Sequence, residues 1–465
     1  MFSVIFLMAA AAPVTAANCG VTAATASTGL VSSTEGGVTV YRPPSTFIAD
    51  PCVSPSLEGL PKIASTANHA WEVQRTGNIP VSAAPDIVGA FRFICQPGQV
   101  NWDDSIVYPG MIGASPHLHQ WFGNTLANGQ STYKSLRTSG ESTCMGPMNR
   151  SAYWQPAMMN KLGQVVRPDL ISIYYKRLPK SNAKCGAGGK YCIALPRGMR
   201  YIFGYDMKRM HEAQPENQQF IWKCLTPQQN YRGELQQRFD TLDCPAGHTL
   251  IVTISSPDCW DGKFLDSADH RSHIVFEKRD PHTGQMACPA SHPNILPTFT
   301  IGAWYSVMAG ENVSDWHLSS DRMKGMPAMP SGSSFHADWY GAWDDDVLKA
   351  WTDNCINKLL NCSAGELGDG TIMRRPLDYS LVAKPRIVAA PTRPAVAMAS
   401  LPRRRQVKPS SVRLALPGDV PSVKPTGTSQ VRRDGPPQPK HISVPPERPA
   451  SIAKTQMDSA HQMHR

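Results

Sequence analysis

Hydrophobic and polar positions along the middle of the chain fall into short runs of strand-like character. Residues 90–96 (AFRFICQ) alternate with a period of two, and residues 249–255 (TLIVTIS) are β-branched and read as a buried strand. Further strands are expected at 170–178, 199–207, 220–225 and 298–307, with another beginning at 273–276. Gly, Pro, Asn and Asp separate these runs. The pattern predicts a mostly β fold, a sandwich or jelly-roll-like single domain with long loops and few helices. One helix is expected near 345–360: Asp344, Asp345 and Asp346 supply cap and first-turn acids, and Leu348, Trp351, Cys355, Leu359 and Cys362 recur at helical spacing.

Composition then sets the boundaries. Residues 1–17 join an apolar run to small residues and read as a signal peptide, cut after Ala16 or Ala17. No other apolar stretch approaches the ~20 residues of a membrane span, so a secreted, extracellular or periplasmic protein is expected. Residues 18–85 are rich in Ala, Ser, Thr, Gly and Pro and read as a loosely structured lead-in to a domain over 86–362. From 383 the chain lacks Phe, Trp, Tyr and Cys, and a disordered Pro-rich basic tail is expected over 383–465. The net charge of +10 belongs to that tail: residues 384–465 hold 15 Lys/Arg and 4 Asp/Glu, leaving 31 basic against 32 acidic residues elsewhere. A basic nucleic-acid-binding core is not indicated. The tail reads as a solvated tether or as an anchor for acidic polymers.

Twelve cysteines, none in a Cys-x-x-Cys pair, predict up to six disulfides in an exported chain. Cys185 and Cys192 flank the flexible GAGGKY and can close a loop. Cys355 and Cys362 on one continuous helix would stand ~10.5 Å apart along the axis, beyond bridging reach. They are expected to pair elsewhere unless the helix stops before Asn361.

Candidate chemistry lies in three polar knots. Residues 258–273 (DCWDGKFLDSADHRSH) offer Asp261, Asp266, Asp269, His270 and His273 as acid, base or nucleophile, with Trp260 and Arg271 as substrate contacts. A loop held by salt bridges and a disulfide accounts for the same residues equally well. In SPHLHQWFG, His117 and His119 project from one face of an extended strand, a spacing suited to two imidazoles on one metal. In SFHADWYGAW, His336 joins the catalytic candidates, and Asp338, Trp339 and Trp343 join Trp121 as candidate sugar contacts. Buried, these aromatics would be core.

These knots, together with DDSIVYPG, RSAYWQPAM, LPRGMRYIFGYD and CPASHP, resemble the secreted domain-of-unknown-function family DUF1996, often fused in fungi to sugar-binding WSC modules. The resemblance implies a cell-wall or polysaccharide setting over roughly residues 86–354. Three functions are then expected. The first is a hydrolase or lyase acting on extracellular or cell-wall polysaccharide. The second is a protein binding a divalent metal through His117, His119, His270 and His273. The third is a non-catalytic carbohydrate-binding module. No Gly-x-Ser-x-Gly elbow, P-loop or dinucleotide fingerprint occurs.

Overall fold

The computed structural model describes residues 31–35, 38–42, 52–64, 73–209, 220–281, 283–373 and 385–394. The expected leader, residues 1–17, and the tail beyond 394 lie outside the described residues. Twelve strands build the two main sheets: β1 (Gly89–Cys95), β2 (Val100–Asn101), β3 (His119–Gly123), β4 (Ala152–Pro156), β5 (Leu170–Arg177), β6 (Arg200–Gly204), β7 (Phe220–Leu225), β8 (Tyr231–Gln236), β9 (Thr249–Ser255), β10 (Thr298–Ser306), β11 (His336–Tyr340) and β12 (Asn361–Cys362). Seven join in the order β8-β7-β9-β10-β5-β1-β12 and five in the order β6-β11-β4-β3-β2. Every pairing is antiparallel except β12, which lies parallel to β1.

The two sheets pack face to face as a sandwich. Side chains alternate across each strand, so β4 sends Tyr153 toward the larger sheet and Trp154 away from it. Tyr153, Tyr201 and Trp339 meet Phe299 of β10 at ring-centroid distances of 6.1, 6.3 and 5.4 Å. The Tyr153 and Tyr175 hydroxyls share a 2.7 Å hydrogen bond between the layers. The outer face of the smaller sheet is also buried. Trp121 and Trp154 stack there at 4.2 Å, under loops that contribute Ile106, Tyr133, Leu136 and Ala342. His119, His336 and Asp338 lie on that outer face.

The helix is shorter than its hydrophobic spacing suggests. Asp345–Trp351 is α-helical, with Asp344 capping the Asp346 amide. It passes into a single π turn over Thr352–Ile356, and Leu359 turns back at a φ of 54°. That reversal brings Cys355 and Cys362 to a Cα separation of 5.8 Å, and they are bonded. The expectation that they pair elsewhere is thereby corrected, through the early stop that would permit the bond. Cys185 and Cys192 close their own loop. Cys95–Cys144, Cys224–Cys244 and Cys259–Cys288 are also bonded.

Two segments are more firmly attached than their composition suggests. In the lead-in, Val53 bridges to Phe264 and Gly59 to Arg197, and Val73–Arg75 pairs with Thr371–Met373. Beyond 383, Ile387–Ala389 pairs antiparallel with Gln164–Val166. Backbone hydrogen bonds order both segments despite their few apolar side chains, Ile387–Ala389 at the edge of a four-stranded sheet and Val73–Arg75 in a two-stranded one. Among the described residues no helix is long and apolar enough to cross a membrane.

Candidate metal centre

His119 opens β3 and His336 opens β11, while His117 sits two residues before His119 on the approach to that strand. Sheet register therefore gathers three imidazoles at one end of the outer face. Their available nitrogens all lie within 4.8 Å of one another, the only such group of possible metal ligands among the described residues. His117 and His119 rings are 4.4 Å apart, and His117 and His336 rings 5.1 Å. All three side chains are buried.

Backbone carbonyls set the tautomers. Nδ1 of His119 faces the Asp103 carbonyl at 2.8 Å, and Nδ1 of His336 faces the Ser334 carbonyl at 2.9 Å. A carbonyl only accepts, so both Nδ1 atoms carry the proton and both Nε2 atoms present lone pairs. His117 Nε2 lies 3.2 Å from His336 Nε2. Nε2 of His119 and Nδ1 of His117 are buried without a hydrogen-bond partner. His119, pinned through Nδ1 with Nε2 left bare, has the arrangement that metal-ligating histidines use.

Charge reinforces this. Burial, then the neighbouring His119, His336 and Arg393, lowers the His117 pKa well below its ordinary value. Burial also lowers His119, against the pull of Asp104 and Asp103. His336 falls to about 3, through burial and the charges of His119 and Arg271. The three rings are neutral at ordinary pH, the form that binds metal. Asp338, two residues beyond His336 on the same face, is buried with neither carboxylate oxygen hydrogen-bonded. Burial and the Asp104 charge raise its pKa well above the carboxylate range, and Arg271 offsets only part of the shift.

The loop at 258–273 contributes one residue to this neighbourhood. Arg271 donates to the carbonyls of Gly204 and Tyr205 at 3.2 and 2.9 Å, and its charge reaches His336 and Asp338. The other candidates of that loop hold one another. Asp266 bonds Arg200 at 2.7 Å and His270 at 2.8 Å. Burial works against its ionisation, but His270 and Arg200 prevail and hold its pKa down to about 2. His273 spans Ser267 and the Arg200 carbonyl. Asp269 accepts from Ser267, Arg271 and Ser272, and Asp261 accepts from the amides of Lys263 and Phe264. The structure thus brings His117 and His119 to His336, and does not bring them to His270 or His273.

The tryptophans are core. Trp121, Trp260, Trp339 and Trp343 are all buried, so none presents a stacking face to solvent. Three contributors escaped sequence reasoning: the Asp103 and Ser334 carbonyls and the Asp104 carboxylate. A backbone carbonyl leaves no sequence signal, whereas Asp104 stood in the DDSIVYPG motif.

A family model described as "Domain of unknown function (DUF1996)" matches residues 104–343. The chain belongs to the DUF1996 family. The matched span contains His117, His119, Arg271, His336 and Asp338, so the whole histidine cluster lies within the DUF1996 domain. No curated protein and no solved structure matches the chain.

Proposed function

We propose that the protein is an exported metal-binding protein whose working centre is His117, His119 and His336, with Asp338 beside it. One observation carries this reading: three buried, neutral imidazoles bring their available nitrogens to within 4.8 Å of one another. Three neutral imidazoles suit zinc or copper, and a three-histidine set leaves a coordination position open for water or substrate. Such a metal would supply Lewis acidity. Export accords with the five described disulfides. The test is to titrate chelator-stripped protein with Zn²⁺ and with Cu²⁺. Stoichiometric binding that His336→Ala abolishes supports the reading; equal uptake by the variant, or none by either protein, refutes it.

A second reading rests on Asp338. A buried carboxyl with a strongly raised pKa, close enough to Asp104 to feel its charge, can act as a general acid in hydrolysis of an extracellular polysaccharide. Asp338→Asn would then lower turnover of a cleaved polysaccharide by at least a hundredfold, while leaving the fold intact. Undiminished turnover would remove Asp338 from the chemistry.

A further inference from the structure

Residues 385–394 lie outside the family-matched span, yet they return to the loop that builds the centre. Ile387–Ala389 adds an edge strand to Gln164–Val166, and Arg386 is salt-bridged to Glu311. Val388 and Ala390 pack near Leu118, Ala157 and Val165. Beyond this strand the segment grips both ends of the loop between Trp102 and Ser115. At one end, Trp102 Nε1 donates to the Pro391 carbonyl at 2.8 Å. The Arg393 guanidinium lies over the same indole, 5.6 Å from the ring centroid. At the other end, Arg393 Nε and an Nη donate to the carbonyls of Gly113 and Ala114 at 2.9 and 3.1 Å. Pro394 packs so closely on Gly113 that an added Cβ would meet its ring carbons at 3.1–3.2 Å.

The gripped loop bonds to two of the three histidines, His117 and His119, which follow it in the chain. Asp103, next to Trp102, supplies the carbonyl that fixes His119, and its carboxylate accepts from the Gly113 amide at 2.6 Å. Ser115, next to Ala114, bonds the Trp102 carbonyl through its amide and the His117 carbonyl through its hydroxyl. A cation donating to two consecutive carbonyls is a fixed bracket rather than a mobile surface charge.

We infer that residues 385–394 are a clamp for the metal centre, with Arg393 the positioning residue that holds the Trp102–Ser115 loop where His117 and His119 can ligate together. The inference rests on the metal reading above. It makes a segment remote in sequence a determinant of metal affinity, so displacing or cutting it would weaken the centre without touching a ligand.

The test uses the full chain. Arg393 is solvent-exposed, so Arg393→Ala leaves no cavity; Trp102→Phe independently removes the donor to Pro391 while keeping an aromatic ring. Chelator-stripped protein is titrated with Zn²⁺ against a chromophoric competitor. Each variant is expected to bind about tenfold more weakly, as the loss of an outer-shell partner does, with Arg393→Lys intermediate. Wild-type affinity in both variants overturns the clamp. Amide exchange at Gly113 gives a readout free of metal: it should quicken in Arg393→Ala. Should wild-type protein bind no Zn²⁺, the metal reading fails, and unchanged Gly113 exchange then overturns the clamp on its own terms.

Discussion

At the scale of single residues, the centre is defined by what its groups lack. Two histidines have a proton fixed at Nδ1 by a carbonyl, and Asp338 has no hydrogen-bonding partner. Exposed imidazoles compete with protons for metal below about pH 6.5. Here the folded-state values are lowered, His336 to about 3, so at pH 5 that ring has no proton to displace. The His336 contribution to Zn²⁺ affinity is therefore expected to stay flat between pH 7 and 5, followed by calorimetry in matched buffers. A drop of about tenfold per pH unit in that contribution would contradict it. Asp338 acts with the opposite sign, because its folded pKa is raised. If it enters coordination it must release a proton, and affinity then climbs about tenfold per pH unit, a climb that Asp338→Asn removes. Without metal, His336 makes stability fall as pH drops from 6.5 toward 3, because the unfolded chain takes up a proton that the folded ring refuses.

At the scale of elements, two polar knots of similar composition are built differently. The loop at 258–273 holds Asp266 between Arg200 and His270, a buried ion pair that fixes the loop against β6. Asp266→Ala is expected to cost about 3–5 kcal/mol of stability, since it strands the Arg200 charge, while leaving Zn²⁺ affinity within twofold of wild type. Urea melts and metal titration of the same variant check both halves. A loss of Zn²⁺ binding without a loss of stability would instead place the loop in the centre. The sequence showed the His117/His119 pair through strand periodicity, which is a local property. It supports the expectation that His336 converges with them in one cleft, but it did not show that His336 takes the third ligand place instead of His270 or His273, because the His117–His336 contact spans 219 residues and depends on sheet register. Nor did it distinguish an aspartate exposed for chemistry from one saturated by its neighbours: Asp269 and Asp261 are satisfied largely by backbone amides. The strap at 385–394 was hidden for a related reason. Its tail-like composition carries an edge strand and an arginine whose acceptors are carbonyls about 280 residues away.

At the scale of the whole molecule, the sandwich carries the histidine cluster on the outer face of its smaller sheet. The alternation that places Tyr153, Tyr201 and Trp339 in the core also turns His119, His336 and Asp338 outward. Disulfides join this frame at distant points. Cys95–Cys144 links residues 49 apart, and replacing both cysteines by Ala is expected to cost about 2–5 kcal/mol, read as a lowered denaturation midpoint. A midpoint equal to wild type would show that the bond is not a structural staple. The central claim, that three histidines from two distant stretches form one metal centre, is tested most directly by Zn²⁺ titration of chelator-stripped wild-type, His119→Ala and His336→Ala proteins. One bound ion per chain is expected in the wild type, and loss of that binding in either variant, with all three proteins folded. Wild-type protein that takes up no ion, or variants that bind as the wild type does, would contradict it.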